Sequence, residues 1–177
     1  MIKLNAKQLR TSKRNPREEK KLKKNPIYII LDNVLDTYNI GSIFRLADAI
    51  AAQEIILCGE TQVPPHARIK KASINTTEWV GWRYFPSAKE AISKLKTERA
   101  KLKVVCLEQA AKSVSYTKMR VEFPMALVVG NESRGVSREV LKIADEIVEI
   151  PMWGVNKSLN VMVSLAIVLY KISENLD

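Results

Sequence analysis

The chain is short of several things that would otherwise decide its chemistry. Two cysteines, Cys58 and Cys106, and a single histidine, His66, occur in 177 residues. Each cysteine closes an apolar run, so the pair reads as two buried thiols of an intracellular protein and not as a disulfide framework. His66 follows two prolines in a polar stretch, with no second histidine or nearby cysteine to complete a metal site. No apolar run reaches the ~18 residues that a bilayer span requires. The N-terminus has no apolar h-region, so neither a membrane segment nor a secretory signal is expected. No Gly-Lys-Ser/Thr occurs, and the glycine-bounded segment GNESRG is not GxGxxG. ATP and NAD sites of the usual kinds lose their support with those fingerprints.

What is present is charge, unevenly placed. The net charge is +10, and residues 1–26 hold ten Lys/Arg against Glu18 and Glu19, a balance of +8. The rest of the chain is nearly neutral. The expectation is a basic N-terminal extension over 1–25 and one globular domain over 26–177, a length that buries a real core. A basic arm binds nucleic-acid phosphates through charge and counterion release; a solvated tail that aids solubility is the plainer alternative. The arm has few large apolar residues and no aromatic, which argues against a membrane surface.

Beyond the arm, short β-branched runs alternate with helical patterns. IYIIL (27–31), EIILC (54–58), WRYF (82–85), KVVCLE (103–108), MALVVG (125–130) and EIVEIP (146–151) are strand candidates. Residues 40–51, 87–98, 137–144 and 158–173 have helical spacing, with Ser87 and Ser137 placed as caps. The alternation predicts an α/β fold, a mostly parallel sheet of five or six strands with helices on both faces. Residues 59–78 read as a long polar loop, functional or mobile.

Ligands of open α/β sheets sit beyond the carboxyl ends of the strands. Three segments there are unusually rich in polar groups. NIGSIFR (39–45) offers Asn39 as a helix cap and Arg45 beside Phe44, where a buried guanidinium needs a phosphate or a carboxylate such as Glu132. GNESRG (130–135) offers Glu132 to a ligand or to a neighbouring cation, or is simply a turn between strand and helix. IPMWGVNKSLN (150–160) sets Ser158 and Asn160 at a helix mouth, where they cap the helix or meet a polar ligand group.

In order and spacing, NIGSIFR, LVVGNESRG and IPMWGVNKSLNV resemble the three motifs of the SpoU-type RNA 2′-O-ribose methyltransferases, of the SPOUT superfamily. The resemblance extends over roughly residues 26–175. It implies a C-terminal segment threaded into a deep trefoil knot, S-adenosylmethionine as cofactor, a homodimer with the active site near the interface, and a cytoplasmic enzyme. It implies a cofactor pocket built from Leu107, Glu108, Gln109, Gly130, Asn131, Glu132, Ile150, Pro151, Met152, Ser158, Leu159 and Asn160. Catalytic roles fall on Asn39, Arg45, Glu132, Ser158 and Asn160, and no metal is required. The implied partner is structured RNA, tRNA or rRNA. Two features depart from the common pattern. Met162 stands where many relatives have a small residue, and the basic arm stands where many have an RNA-recognition domain. A non-catalytic RNA-binding protein of the same fold and a generic α/β nucleotide enzyme are the alternatives; the first would not need all five polar residues, and the second lacks its glycine and lysine fingerprints.

Overall fold

The structure is a computed structural model that describes residues 3–12 and 22–176. Much of the basic arm, including Lys13, Arg14, Arg17, Lys20 and Lys21, lies outside the described residues. All six expected strands form: β1 (Asn25–Asp32), β2 (Ala52–Cys58), β3 (Trp82–Phe85), β4 (Lys103–Leu107), β6 (Met125–Gly130) and β7 (Glu146–Glu149). A two-residue strand, β5 (Val114–Ser115), extends the edge; so short a piece carries no pattern of its own. The seven strands make one parallel sheet in the order β3-β2-β1-β6-β4-β7-β5.

Six helices are described: α1 (Ala6–Thr11), α2 (Thr37–Ala49), α3 (Ala67–Ser73), α4 (Ala88–Glu98), α5 (Arg138–Leu141) and α6 (Val161–Ser173). The sheet is covered on both faces because successive strand side chains point opposite ways. Ile27, Ile29 and Leu31 of β1 pack with Ile40, Ile43 and Phe44 of α2 and with Leu165, Val168 and Ile172 of α6. Tyr28 and Ile30 pack with Ala91, Ile92 and Leu95 of α4 and with Val140 of α5. Each such side chain contributes about 1.5–3 kcal/mol on burial. Cys58 and Cys106 are both buried, and desolvation pushes each thiol up to about 12.

Several local expectations change. The loop over 59–78 is not structureless. It holds α3 and a 3₁₀ turn, Thr76–Glu78, and His66 caps α3 by accepting from the Arg68 amide at 3.2 Å. The cap of α2 is Asp36, whose carboxylate accepts from the Tyr38 amide at 2.8 Å, and Asn39 lies inside the first turn. The last helix starts at Val161 and not at residue 158, with Asn160 as its cap. Ser87 caps α4 as expected, whereas the buried Ser137 hydroxyl has no partner among the described residues. Its backbone is held instead by Asp32, at the end of β1, which accepts from the Ser137 amide at 2.8 Å.

Gly41 sets the distance between α2 and α3. A Cβ there would come within 2.6 Å of both the Ala72 Cβ and the Ile69 carbonyl oxygen. In an isolated helix Gly→Ala is favourable by about 1 kcal/mol. Here the overlap reverses the sign: Gly41→Ala is expected to lower stability by about 1–3 kcal/mol. Urea unfolding that gives an equal or higher midpoint for the variant would show that the two helices separate freely.

Candidate functional site

A cavity of about 570 Å³ opens at the carboxyl ends of β4, β6 and β7. Its walls are Leu107, Glu108 and Gln109 after β4, Gly130, Asn131 and Glu132 after β6, Ile150 and Met152 after β7, and Ser158, Leu159 and Asn160 before α6. Of the residues expected there, only Pro151 is not part of the wall. Val129, Ser133, Gly135, Glu149, Asn156, Val161 and Ser164 also line it. None had a separate signal: each sits within a few residues of a quoted motif, and which of them turn inward depends on the loop geometry.

That geometry is fixed by side chains that satisfy backbone amides. The Asn131 Oδ1 accepts from the amides of Ser133 and Arg134, at 3.0 and 2.9 Å, while its Nδ2 donates to the Asn33 carbonyl at 2.9 Å. Glu108 accepts from the amides of Gln109 and Val136, at 2.9 and 2.8 Å. Gly135 completes the turn at φ +67°, and a Cβ would lie 2.1 Å from a Glu108 carboxylate oxygen. A side chain at 135 would therefore meet both a strained backbone and an occupied space. Gln109 also donates from Nε2 to the Lys157 carbonyl at 2.7 Å, tying the β4 exit to the segment before α6.

Glu132 is the start of a polar relay. Its carboxylate accepts from the amides of Leu35 and Asp36, at 3.1 and 3.0 Å, and from the Asn39 Nδ2 at 3.2 Å. With Nδ2 turned to a carboxylate, the Asn39 Oδ1 faces the other way and accepts from the Asn160 Nδ2 at 3.0 Å. The Asn160 Oδ1 is then left to accept from the amides of Met162 and Val163 at the mouth of α6, at 2.9 and 3.4 Å. Each amide is oriented by the one before it, because an Asn carries a donor end and an acceptor end. Burial alone would raise the Glu132 carboxyl, but the Leu35 and Asp36 amides and the Asn39 side chain outweigh it, so the group sits below the ordinary value of 4.5.

Asn39, Glu132 and Asn160 are thus brought into one hydrogen-bonded chain. Ser158 lies exposed at the cavity rim, its amide donating to the Asn156 Oδ1 at 3.4 Å, and it does not cap α6. Arg45 departs from expectation. It is exposed, not buried, and among the described residues it pairs with neither Glu132 nor any other carboxylate. Six positions along a helix turn Arg45 roughly 120° away from Asn39. It therefore points away from the face of α2 that carries the relay.

The cavity has a definite electrical sign. Three carboxylates line it, Glu108, Glu132 and Glu149, and among the described residues its wall holds no Lys, Arg or His. Leu107, Ile150, Met152, Leu159 and Val161 supply apolar surface. Its volume is within the range of ~300–1,000 Å³ typical of small-molecule sites. Such a site suits a ligand that is apolar on one part and cationic on another, and repels a polyphosphate.

The chain is similar to known proteins in sequence and in fold. The family model of the SpoU rRNA Methylase family matches residues 26–170. The chain belongs to this family. The SpoU chain is 31% identical over 159 residues to the tRNA (guanosine(18)-2′-O)-methyltransferase of Aquifex aeolicus, covering 88% of itself and 72% of that protein. It is 32% identical over 167 residues to the Thermus thermophilus protein of the same name, covering 92% and 82%. Among solved structures, an AdoMet-bound rRNA methyltransferase from Sinorhizobium meliloti superposes with TM-score 0.79 at 28% identity. The match covers 96% of the SpoU chain but only 60% of that chain. The A. aeolicus TrmH/SpoU tRNA modifying enzyme gives 0.78 at 26% identity, covering 96% and 81%.

The relay of this SpoU domain makes a pH-dependent prediction. A carboxylate whose folded pKa is depressed contributes stability above its ordinary value, and that contribution is lost as pH falls through the folded value. Glu132→Gln is expected to melt at a lower temperature than the parent at about pH 7, with the gap closing below about pH 4.5. Melting curves that stay parallel down to about pH 3 would exclude the ionised carboxylate as the anchor of the relay.

Proposed function

We propose that this protein methylates the 2′-hydroxyl of a ribose in structured RNA, tRNA or rRNA, with S-adenosylmethionine as the donor. The observation that carries the reading is the acidic, half-apolar cavity at the strand ends, closed by the Glu132–Asn39–Asn160 relay. S-adenosylmethionine, when bound, supplies an electrophilic methyl on a sulfonium centre. Leu107, Ile150, Met152 and Leu159, which line the cavity, and the neighbouring main chain would hold the donor. The three carboxylates favour its positive charge through space, since Glu108 and Glu132 already accept from backbone amides.

The target hydroxyl must shed or share its proton as it attacks. A guanidinium, with a free pKa above about 12, is a poor base. Arg45 is therefore assigned to the target phosphate and to the charge that develops on the ribose oxygen. Ser158 and Asn160 at the rim position the ribose, and Asn39 sets the direction of the Asn160 amide. The basic extension, residues 1–25, adds affinity for the RNA backbone.

The same reading makes the protein a cytoplasmic homodimer. α6 is apolar over most of its surface, and such helices are normally covered. Yet Val163 and Tyr170, on its outward side, are 39% and 55% exposed. α2 packs against α6, and Leu35 and Tyr38 add exposed apolar surface near its start. A second copy over this face would bring further groups to the cavity rim. The chain between β7 and α6 also lies across the β4 exit through the Gln109–Lys157 bond, and this supports threading of the C-terminal segment into a trefoil knot.

Arg45→Ala is expected to abolish methyl transfer to RNA while leaving the affinity for S-adenosylmethionine, by calorimetry, within a few-fold. Near-parental transfer would remove Arg45 from the mechanism, and absence of donor binding by the parent would leave only a non-catalytic RNA-binding role. Sedimentation of the parent is expected at twice the chain mass, and of the double variant Val163→Glu, Tyr170→Glu at the chain mass. A monomeric parent would exclude the dimer.

A further inference from the structure

The basic side chains of the described residues fall into two groups. One group is neutralised in place. Arg83 lies between Glu54 and Glu98, Lys96 pairs with Asp145, Lys103 with Glu146 and Glu122, Arg120 with Glu122, Arg134 with Glu60, and Lys171 with Glu174. The other group includes Lys7 and Arg10 on α1 and Arg68, Lys70 and Lys71 on α3. All five are exposed, and none forms an ion pair among the described residues. Neither helix contains an acidic residue.

The two helices are joined, and α3 is joined to the helix that carries Arg45. The close approach at Gly41 seats α2 against Ile69 and Ala72 of α3. At the other side, α3 ends in two successive residues with positive φ, Ile74 at 47° and Asn75 at 72°. A β-branched residue rarely adopts that conformation. The turn presents the Asn75 side chain to the end of α1, where its Nδ2 donates to the carbonyls of Leu9 and Ser12, at 3.1 and 3.0 Å. α1 is itself closed at its start by a reciprocal pair between Asn5 and Gln8. It is a docked element with defined ends, and Lys7 and Arg10, three positions apart, share one of its faces.

We infer that α3 and α1 form one phosphate-binding ridge for the RNA backbone, leading away from Arg45, with Asn75 as the clasp that holds α1 in line. The inference rests on the RNA reading of the site. The partner is a polyanion because, among the described residues, the ridge offers cations without counter-charge. Among its described residues it offers no exposed aromatic for base stacking, and Ile69 points inward. The ridge positions RNA and does not read its sequence.

The test uses the full-length protein, with unfractionated tRNA and deproteinised ribosomal RNA as parallel probes. The triple variant Arg68→Ala, Lys70→Ala, Lys71→Ala is compared with Lys89→Ala, Lys101→Ala, Lys142→Ala, three exposed lysines outside the ridge. Each lost phosphate contact lowers the slope of log affinity against log salt by about 0.7–0.9. The ridge triple is expected to lose about 2–3 units of slope and to raise KM for RNA, with kcat and donor affinity unchanged. The control triple is expected to keep the parental slope. Asn75→Gly suits the positive φ and keeps every charge; it is expected to lose as much affinity as Lys7→Ala, Arg10→Ala. An unchanged slope in the ridge triple, or an equal loss in the control, would overturn the ridge. A parent that binds RNA with a ridge-dependent slope but transfers no methyl would overturn the enzymatic reading alone.

Discussion

The relay from Glu132 through Asn39 to Asn160 is the constraint on which the site depends. It joins three parts of the chain that no single secondary element connects: the loop after β6, the first turn of α2 and the mouth of α6. The charge at one end sets the orientation of both amides, so the relay has a single polarity. With that polarity, Asn160 serves as a helix cap and as part of the cavity wall at once. The capping reading and the ligand reading of this asparagine are therefore not alternatives. The side chain has two ends and uses both.

The electrostatic layout separates two tasks. The cavity is acidic and half-apolar, which fits a small cationic donor. The α1–α3 side is basic and lacks ion pairs among the described residues, which fits a polyanion. Arg45 is exposed on α2, the helix that packs against α3, and is turned from the relay. A single chain thus carries an acidic, half-apolar surface and a basic surface in different places. Some cations elsewhere on the domain are paired among the described residues: a guanidinium such as Arg83, bracketed by Glu54 and Glu98, does not compete for phosphate.

The strands were legible because each is a β-branched run bounded by turn residues, and a sheet buried on both faces demands such runs. Part of the cavity wall, Gly130 to Glu132 and Ser158 to Asn160, was legible through polar clusters beyond strand ends, whereas Leu107, Glu108 and Gln109 were reached only through the family resemblance. What was not legible has physical reasons. Asn39 looks like a cap because it precedes an apolar helix, yet Asp36 three residues earlier starts the helix by accepting from the Tyr38 amide, which leaves Asn39 inside the first turn. Residues 59–78 look like a loop because α3 is polar outward and shows the core only Ile69 and Ser73. Arg45 looks buried because its neighbours are, but a helix turns 100° per residue and places it on the outer face. The roles of Asn33, Asp32 and Asn131 in shaping the loops involve partners about a hundred positions away, which no local pattern carries.

The spacing of the relay has a consequence for the life of the chain. Its hydrogen bonds close contacts of 93 and 121 residues in sequence. Contacts so distant form late, because the entropy of closing the intervening loops has to be overcome first. A nascent chain still lacking α6 has no Asn160, no Leu159 and an open cavity. The cavity wall is therefore completed only as synthesis nears the last helix.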